Sequence, residues 1–210
     1  MVTDRIELRK SRIADRHTPM QERSRQRREE ILSTTATLLE RVGFDDLTTI
    51  LIASELKISV GSLYHYFPNK QAILYALGEH WLEEYSAALE QVANHELESL
   101  DLAGFVELIL SRLLDVYREQ RGILPLVQAM WAVPELRDLD ERHDEMVIGY
   151  MEAMFPRLGV TASKPELNRR GRVWLEMTHA LLLTITAQPA KRAQRSYADL
   201  QRLAMTLLQN

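Results

Sequence analysis

The stretch LTTILIASELKISVGSLYHYFPNK, residues 47–70, decides the fold. Thr48 or Thr49 is of the residue type that caps a helix, and Ile52, Ala53 and Leu56 follow at the spacing of one inward face. A tight turn, Lys57-Ile58-Ser59, comes next. Ser59 then caps a further short helix, Val60 to Phe67, which Pro68 cannot continue because it lacks an N–H to donate. Within that helix Leu63 and Phe67 stand four residues apart and face a core, leaving Val60, Gly61, Ser62, Tyr64, His65 and Tyr66 mainly on the outside. Two short helices joined by a turn of a few residues make a helix-turn-helix, whose second helix fits a major groove. Hydroxyls and ring nitrogens on its free face suit phosphates and base edges better than they suit water alone. Glycine in a first helical turn costs about 1 kcal/mol relative to alanine, so Gly61 reads as room for close approach to a duplex. The N–H groups at the starts of both helices, at Thr48-Thr49 and Ser59, are expected to meet phosphates, as is Lys70 as a point charge.

The flanks extend an all-α pattern. Upstream, Ile31, Thr35, Leu38, Leu39 and Val42 fall on one helical face, and Gly43 closes that helix at its C-terminal cap. Residues 1–22 show no sustained apolar period and contain Pro19, so they are expected to be a flexible basic arm, with helix from Ser24. Downstream, Asn69 caps a long helix over 70–94 whose Ile73, Leu74, Leu77, Trp81 and Tyr85 can grip elements on both sides. Leu102, Phe105, Ile109, Leu113 and Val116 form the next stripe. Further helical segments end at Phe155, near Ala187 and near the C-terminus. No segment alternates with period two. The expected organisation is an arm over 1–22, a three-helix DNA-binding domain over 23–69, and a larger helical domain over 70–210 that begins with the connecting helix.

From Ser59 to Lys70 the chain resembles the recognition helix and following helix start of the tetracycline-repressor-like (TetR) family. Leu47-Thr48-Thr49, Ile52-Ala53 and Gly43-Phe44 resemble that family's preceding helix and earlier turn, and the likeness covers about residues 31–74. The resemblance implies a transcriptional regulator, most often a repressor, that acts as a homodimer on a double-stranded operator with two-fold symmetry. It also implies a C-terminal pocket for a small-molecule effector that releases the DNA. One departure stands out: Leu56-Lys57-Ile58 occupies the turn where the family has Ala-Gly-Val, and lysine tolerates positive φ poorly.

Charge fits this picture by its distribution. The net charge is −4, yet residues 1–28 carry nine Lys/Arg against four acids, and residues 71–210 carry fourteen against twenty. Arg23, Arg25 and Arg28 are candidates for a narrow minor groove, weighed equally against a plain solubilising role. No cysteine is present, which excludes disulfides and thiol chemistry. The charged N-terminus is not of the signal-peptide type, no run is long enough to span a membrane, and a cytoplasmic location is expected. The six histidines form no metal-binding pair, and no Ser/His/Asp set stands out, so neither metal, cofactor nor catalysis is expected.

For the effector, expected to be largely apolar, the candidate contacts are Tyr117, Met130, Trp131, Met146, Tyr150, Trp174, Met177 and Thr178, with His179 beside Thr178 also able to orient a polar group, each weighed against ordinary core packing. Residues 173–187 are apolar nearly all round, which makes the last two helices (about 165–208) the expected dimer contact, or else a helix central to one subunit. A helical ligand-binding or enzymatic protein with a vestigial helix-turn-helix is the competing reading.

Overall fold

The structure, a computed structural model, describes residues 3–209, with side chains from residue 21. Among the described residues it contains helices and no strand: α1 (Thr3–Asp46), α2 (Thr49–Glu55), α3 (Val60–Tyr66), α4 (Lys70–Ala93), α5 (Leu102–Glu119), α6 (Ile123–Ala132), α7 (Arg137–Arg157), α8 (Lys164–Thr186) and α9 (Ala190–Gln209). Two 3-10 turns, Leu97–Ser99 and Pro134–Leu136, lead into α5 and α7. The helix expected from Ser24 begins at Thr3 instead, so the backbone of the stretch expected as a flexible basic arm is helical from Thr3 onward. Its sequence up to Pro19 lacks glycine and carries Arg5, Arg9, Lys10, Arg12 and Arg16, good helix formers that need no apolar period to stay helical. At the other end the helical path breaks where expected, with Gly43 at φ 76°.

The chain forms two packed groups. Ile31, Leu38 and Leu39 of α1 close over Ile52 and Ala53 of α2, Leu63 of α3 and Phe67, all buried. In the larger group α5 and α7 pack on α4, where Trp81, Tyr85 and Leu89 have no exposure at all, α8 packs on α5 and α7, α9 on α5 and α8, and α6 on α7. α4 belongs to both groups, because Ile73 and Leu74 near its start are equally buried. Burying an aliphatic or aromatic side chain contributes about 1.5–3 kcal/mol, so this helix is held firmly at either end. Gly78 lets α7 lie close against it: a Cβ there would come 2.6 Å from the Leu139 side chain.

A second junction lies between α1 and α6. Gly122 caps α6 in the left-handed conformation, φ 68°, with no side-chain hydrogen bond. A Cβ at this position would lie 2.8 Å from the Ala36 carbonyl oxygen and 3.2 Å from the Glu40 nitrogen. Only glycine allows both the conformation and the approach. Beside this contact a cleft of about 560 Å³ opens between α1 and the larger group, lined by Glu29, Ser33, His80, Glu119 and Arg121 among others.

Candidate nucleic-acid interface

The helix-turn-helix is assembled by three side-chain caps. Thr48 Oγ1 accepts from Leu51 N at 3.1 Å, Ser59 Oγ from Ser62 N at 3.0 Å, and Asn69 Oδ1 from Ala72 N at 2.8 Å. Each cap satisfies a helix-start N–H and contributes about 1 kcal/mol. The turn between α2 and α3 is a Schellman motif: Ile58 N donates to Ala53 O at 3.0 Å and Lys57 N to Ser54 O at 3.1 Å. Lys57 occupies the left-handed position with φ 55°, the one non-glycine residue at positive φ among the described residues. The geometry is therefore the usual one, reached with some strain rather than with a differently shaped turn.

α3 then shows two opposite faces. Leu63 is fully buried and Phe67 nearly so, while Gly61, Ser62 and His65 are exposed and Tyr64 is 48% exposed. Val60 and Tyr66 lie at the edges, half-buried. The Tyr64 hydroxyl lies 3.2 Å from Thr49 Oγ1, which ties the outer faces of α2 and α3 together. Ser59 Oγ and Ser62 Oγ sit 2.8 Å apart at the helix start. His65 and Tyr66 meet edge to face, 5.3 Å between centroids, beside an open cleft that Arg23, Gln26 and Arg27 of α1 also line.

The cations are held in different ways. Lys70 Nζ donates to Phe44 O at 3.0 Å and lies 4.1 Å above the Phe44 ring, so it braces the Gly43-Phe44 turn as well as carrying charge. The Arg28 guanidinium lies 4.4 Å over the Phe67 ring, next to the end of α3. Arg25 pairs with Glu22 and Glu29, and Arg27 with Glu30. Ile50 escaped the sequence reading. It is 70% exposed, next to Thr49 at the start of α2. An isoleucine inside an apolar run reads as core, and only the orientation of α2 turns it outward.

The effector candidates do not gather into one cavity. Tyr117 is buried with its hydroxyl 2.6 Å from His179 Nδ1. Trp174 is buried elsewhere, between Phe105 and Phe155. Thr178 is also buried, its hydroxyl donating to its own helix at Trp174 O, 2.8 Å. Met130 lies in the core, and Met146, Tyr150 and Met177 are half-buried against it. Trp131 is 56% exposed and donates to Asp140 Oδ1 at 2.9 Å. The residue that draws Tyr117 and Trp131 into one neighbourhood is His179, itself a candidate for orienting a ligand's polar group; His143, which meets His179 at 5.0 Å, is an isolated position that the sequence could not place there.

Two family models match the chain. The model of bacterial regulatory proteins of the tetR family covers residues 31–77, and the tetracyclin repressor-like C-terminal domain covers 101–208. The chain belongs to the TetR family. Among similar proteins, the nucleoid occlusion factor SlmA of Vibrio atlanticus (strain LGP32) is 28% identical over 120 residues, 55% of this chain and 60% of that protein. The class G tetracycline repressor protein of Vibrio anguillarum is 43% identical over 54 residues, 26% of each chain. The matched stretches thus span less than two thirds of either relative. Among solved structures, Salmonella enterica GusR superposes with a TM-score of 0.65 at 20% identity, over 87% of this chain and 95% of that one, and shares the fold. Among the described residues no helix is long and apolar enough to cross a membrane.

Proposed function

We propose that this TetR-family protein is a homodimeric transcriptional regulator that binds a two-fold symmetric operator and releases it when a small molecule occupies its larger domain. The observation that carries the reading is the two-faced α3, whose polar aromatic side is free in solvent and braced by Thr49 while Leu63 and Phe67 anchor the opposite side. Ser59, Val60, Gly61, Ser62, Tyr64, His65 and Tyr66 read the groove. Thr48, Thr49 and Lys70, joined by Arg23, Arg25 and Arg28 of α1, meet the phosphates or the adjacent minor groove. Dimerisation uses α8 and α9, where Val173 and Leu203 are 40% and 50% exposed beside half-buried Met177, Leu181 and Leu207. Two recognition helices so carried reach successive major grooves about 34–36 Å apart.

The test is selection of bound fragments from random genomic DNA, followed by titration of the selected site at several salt concentrations. A palindromic site and a steep salt dependence are expected. Tyr64→Ala should lower affinity for the selected site at least tenfold while leaving the fold intact. Binding unaltered by Tyr64→Ala, or no enrichment of any sequence, sinks the reading.

A further inference from the structure

The heart of the larger domain holds an unusual concentration of unsatisfied polar atoms. Trp81 and Tyr85 of α4, Tyr117 of α5, His143 of α7 and His179 of α8 form one cluster of rings. Trp81 stacks on His143 at 4.9 Å, His143 lies 5.0 Å from both Tyr85 and His179, and Trp81 lies 6.1 Å from His179. The described residues contain six buried side-chain polar atoms with no hydrogen-bond partner, and four of them fall here: Trp81 Nε1, Tyr85 OH, His143 Nε2 and His179 Nε2. A buried polar atom left unpaired has given up its water for nothing, so chance is a poor reason for four from three helices to converge.

The hydrogen-bonding roles follow from the neighbours. The Tyr117 hydroxyl has His179 Nδ1 at 2.6 Å, and burial holds the His179 ring neutral, with its pKa lowered to about 3. When Tyr117 donates to Nδ1, the His179 proton sits on Nε2, which becomes a donor. Asp144 Oδ1 lies 3.6 Å from His143 Nδ1; when the proton of the neutral ring sits on that nitrogen, facing the carboxylate, the His143 Nε2 lone pair is free to accept. The indole of Trp81 only donates, and the Tyr85 hydroxyl does either. Among the described residues no Lys or Arg hydrogen-bonds, pairs with or stacks on any of the five rings, so a buried anion would lack a counter-charge.

We infer that the rings of Trp81, Tyr85, His143 and His179 form a recognition site for a compact, uncharged, oxygen-bearing molecule, one whose hydroxyl donates to His143 Nε2 and whose carbonyl or second hydroxyl accepts from Trp81, Tyr85 or His179. The inference rests on the regulator reading and narrows its effector from largely apolar to neutral and hydroxylated. Two features suit entry. Trp131, 6.1 Å from His179, is a half-exposed ring at the surface of the cluster, and a cleft of about 320 Å³ reaches Tyr117 past Gly122 and Leu183. Trp81 and Tyr85 belong to the connecting helix, so a molecule held by them acts on the element that positions the DNA-binding domain.

The test uses the full-length protein at neutral pH, with catechol, 4-hydroxyacetophenone and hydroxyacetone as probes, toluene as apolar control and benzoate as anionic control. Saturable quenching of tryptophan fluorescence and a rise in Tm are expected from at least one probe at or below millimolar concentration, with responses at least tenfold weaker from both controls. Tyr85→Phe, which keeps the ring volume, should weaken that response at least tenfold without lowering the Tm of the free protein. His143→Gln, which keeps an acceptor oxygen, should retain more binding than His143→Phe. The inference is overturned if no probe saturates, if toluene or benzoate binds as tightly as the best probe, or if Tyr85→Phe binds like the parent. Operator titration of the same samples separates the two claims. DNA binding without probe binding removes only the effector class, and probe binding without DNA binding removes only the regulator reading.

Discussion

At the residue scale, positions that depart from local rules are the informative ones. Lys57 fills a left-handed C′ position that glycine would occupy without strain. Lys57→Gly should stabilise the protein by about 0.5–1 kcal/mol, seen as a higher urea midpoint at unchanged slope, because the relief of strain exceeds glycine's entropic cost. His179 departs in another way. Burial, helped by neighbouring His143 and opposed by Asp144, lowers its pKa from 6.5 to about 3. Between those values the unfolded chain binds a proton that the folded protein refuses, so this group's contribution to stability is complete above pH 6.5 and falls as the pH drops toward 3. The slope is at most about 1.4 kcal/mol per pH unit. His179→Phe should flatten the stability curve between about pH 5 and 6.5, measured by urea unfolding. The shifted carboxylates, Glu98 beside Arg157 and Glu166 beside Arg169 and Arg170, are both lowered from 4.5 to about 2 and act mainly below that window. A curve of unchanged slope in the variant would refute the assignment.

At the element scale, α2 and α3 are short helices that, like the start of the longer α4, owe their ends to caps and their orientation to a few apolar anchors. Seven-residue helices are not stable alone. Ser59→Ala should therefore cost about 1 kcal/mol in global stability. Lys70 combines two roles. Lys70→Ala should lower the slope of log K against log salt by about 1 through the lost phosphate contact. It should also lower thermal stability, since the Phe44 carbonyl and ring lose their cation. Lys70→Arg would restore the charge but not the fit of a compact ammonium over the ring. Loss of stability with an unaltered salt slope would show Lys70 to be structural only.

At the scale of the whole molecule, the domains meet through α4 and through the contact of Gly122 with α1. The second contact depends on a missing side chain. Gly122→Ala combines positive φ with a Cβ 2.8 Å from Ala36 O, so it should lower Tm and uncouple the two domains. Operator affinity should then respond less to effector while the probe still binds, as read by titrating DNA with and without a saturating probe. Leu203→Glu tests the assembly: a charge on that exposed apolar position of α9 should convert the dimer to monomers in sedimentation velocity.

The helical fold and the helix-turn-helix were legible in sequence because they are written locally. Caps at Thr48, Ser59 and Asn69, an apolar period on each helix and the stops at Gly43 and Pro68 act over a few residues, and the structure uses each of them. The start of α1 is not legible in the same way, since a charged stretch with no apolar period gives no sign of helix although its propensities allow one. Tertiary structure alone decided that Ile50 faces outward, that Lys70 lies on Phe44, that the methionines and tryptophans spread over several neighbourhoods, and that two histidines 36 positions apart come within 5.0 Å. The physical reason is range. Propensity and capping are fixed by near neighbours along the chain, whereas burial, unmet hydrogen bonds and ring contacts depend on which helices cross, and those crossings join residues with no shared local pattern.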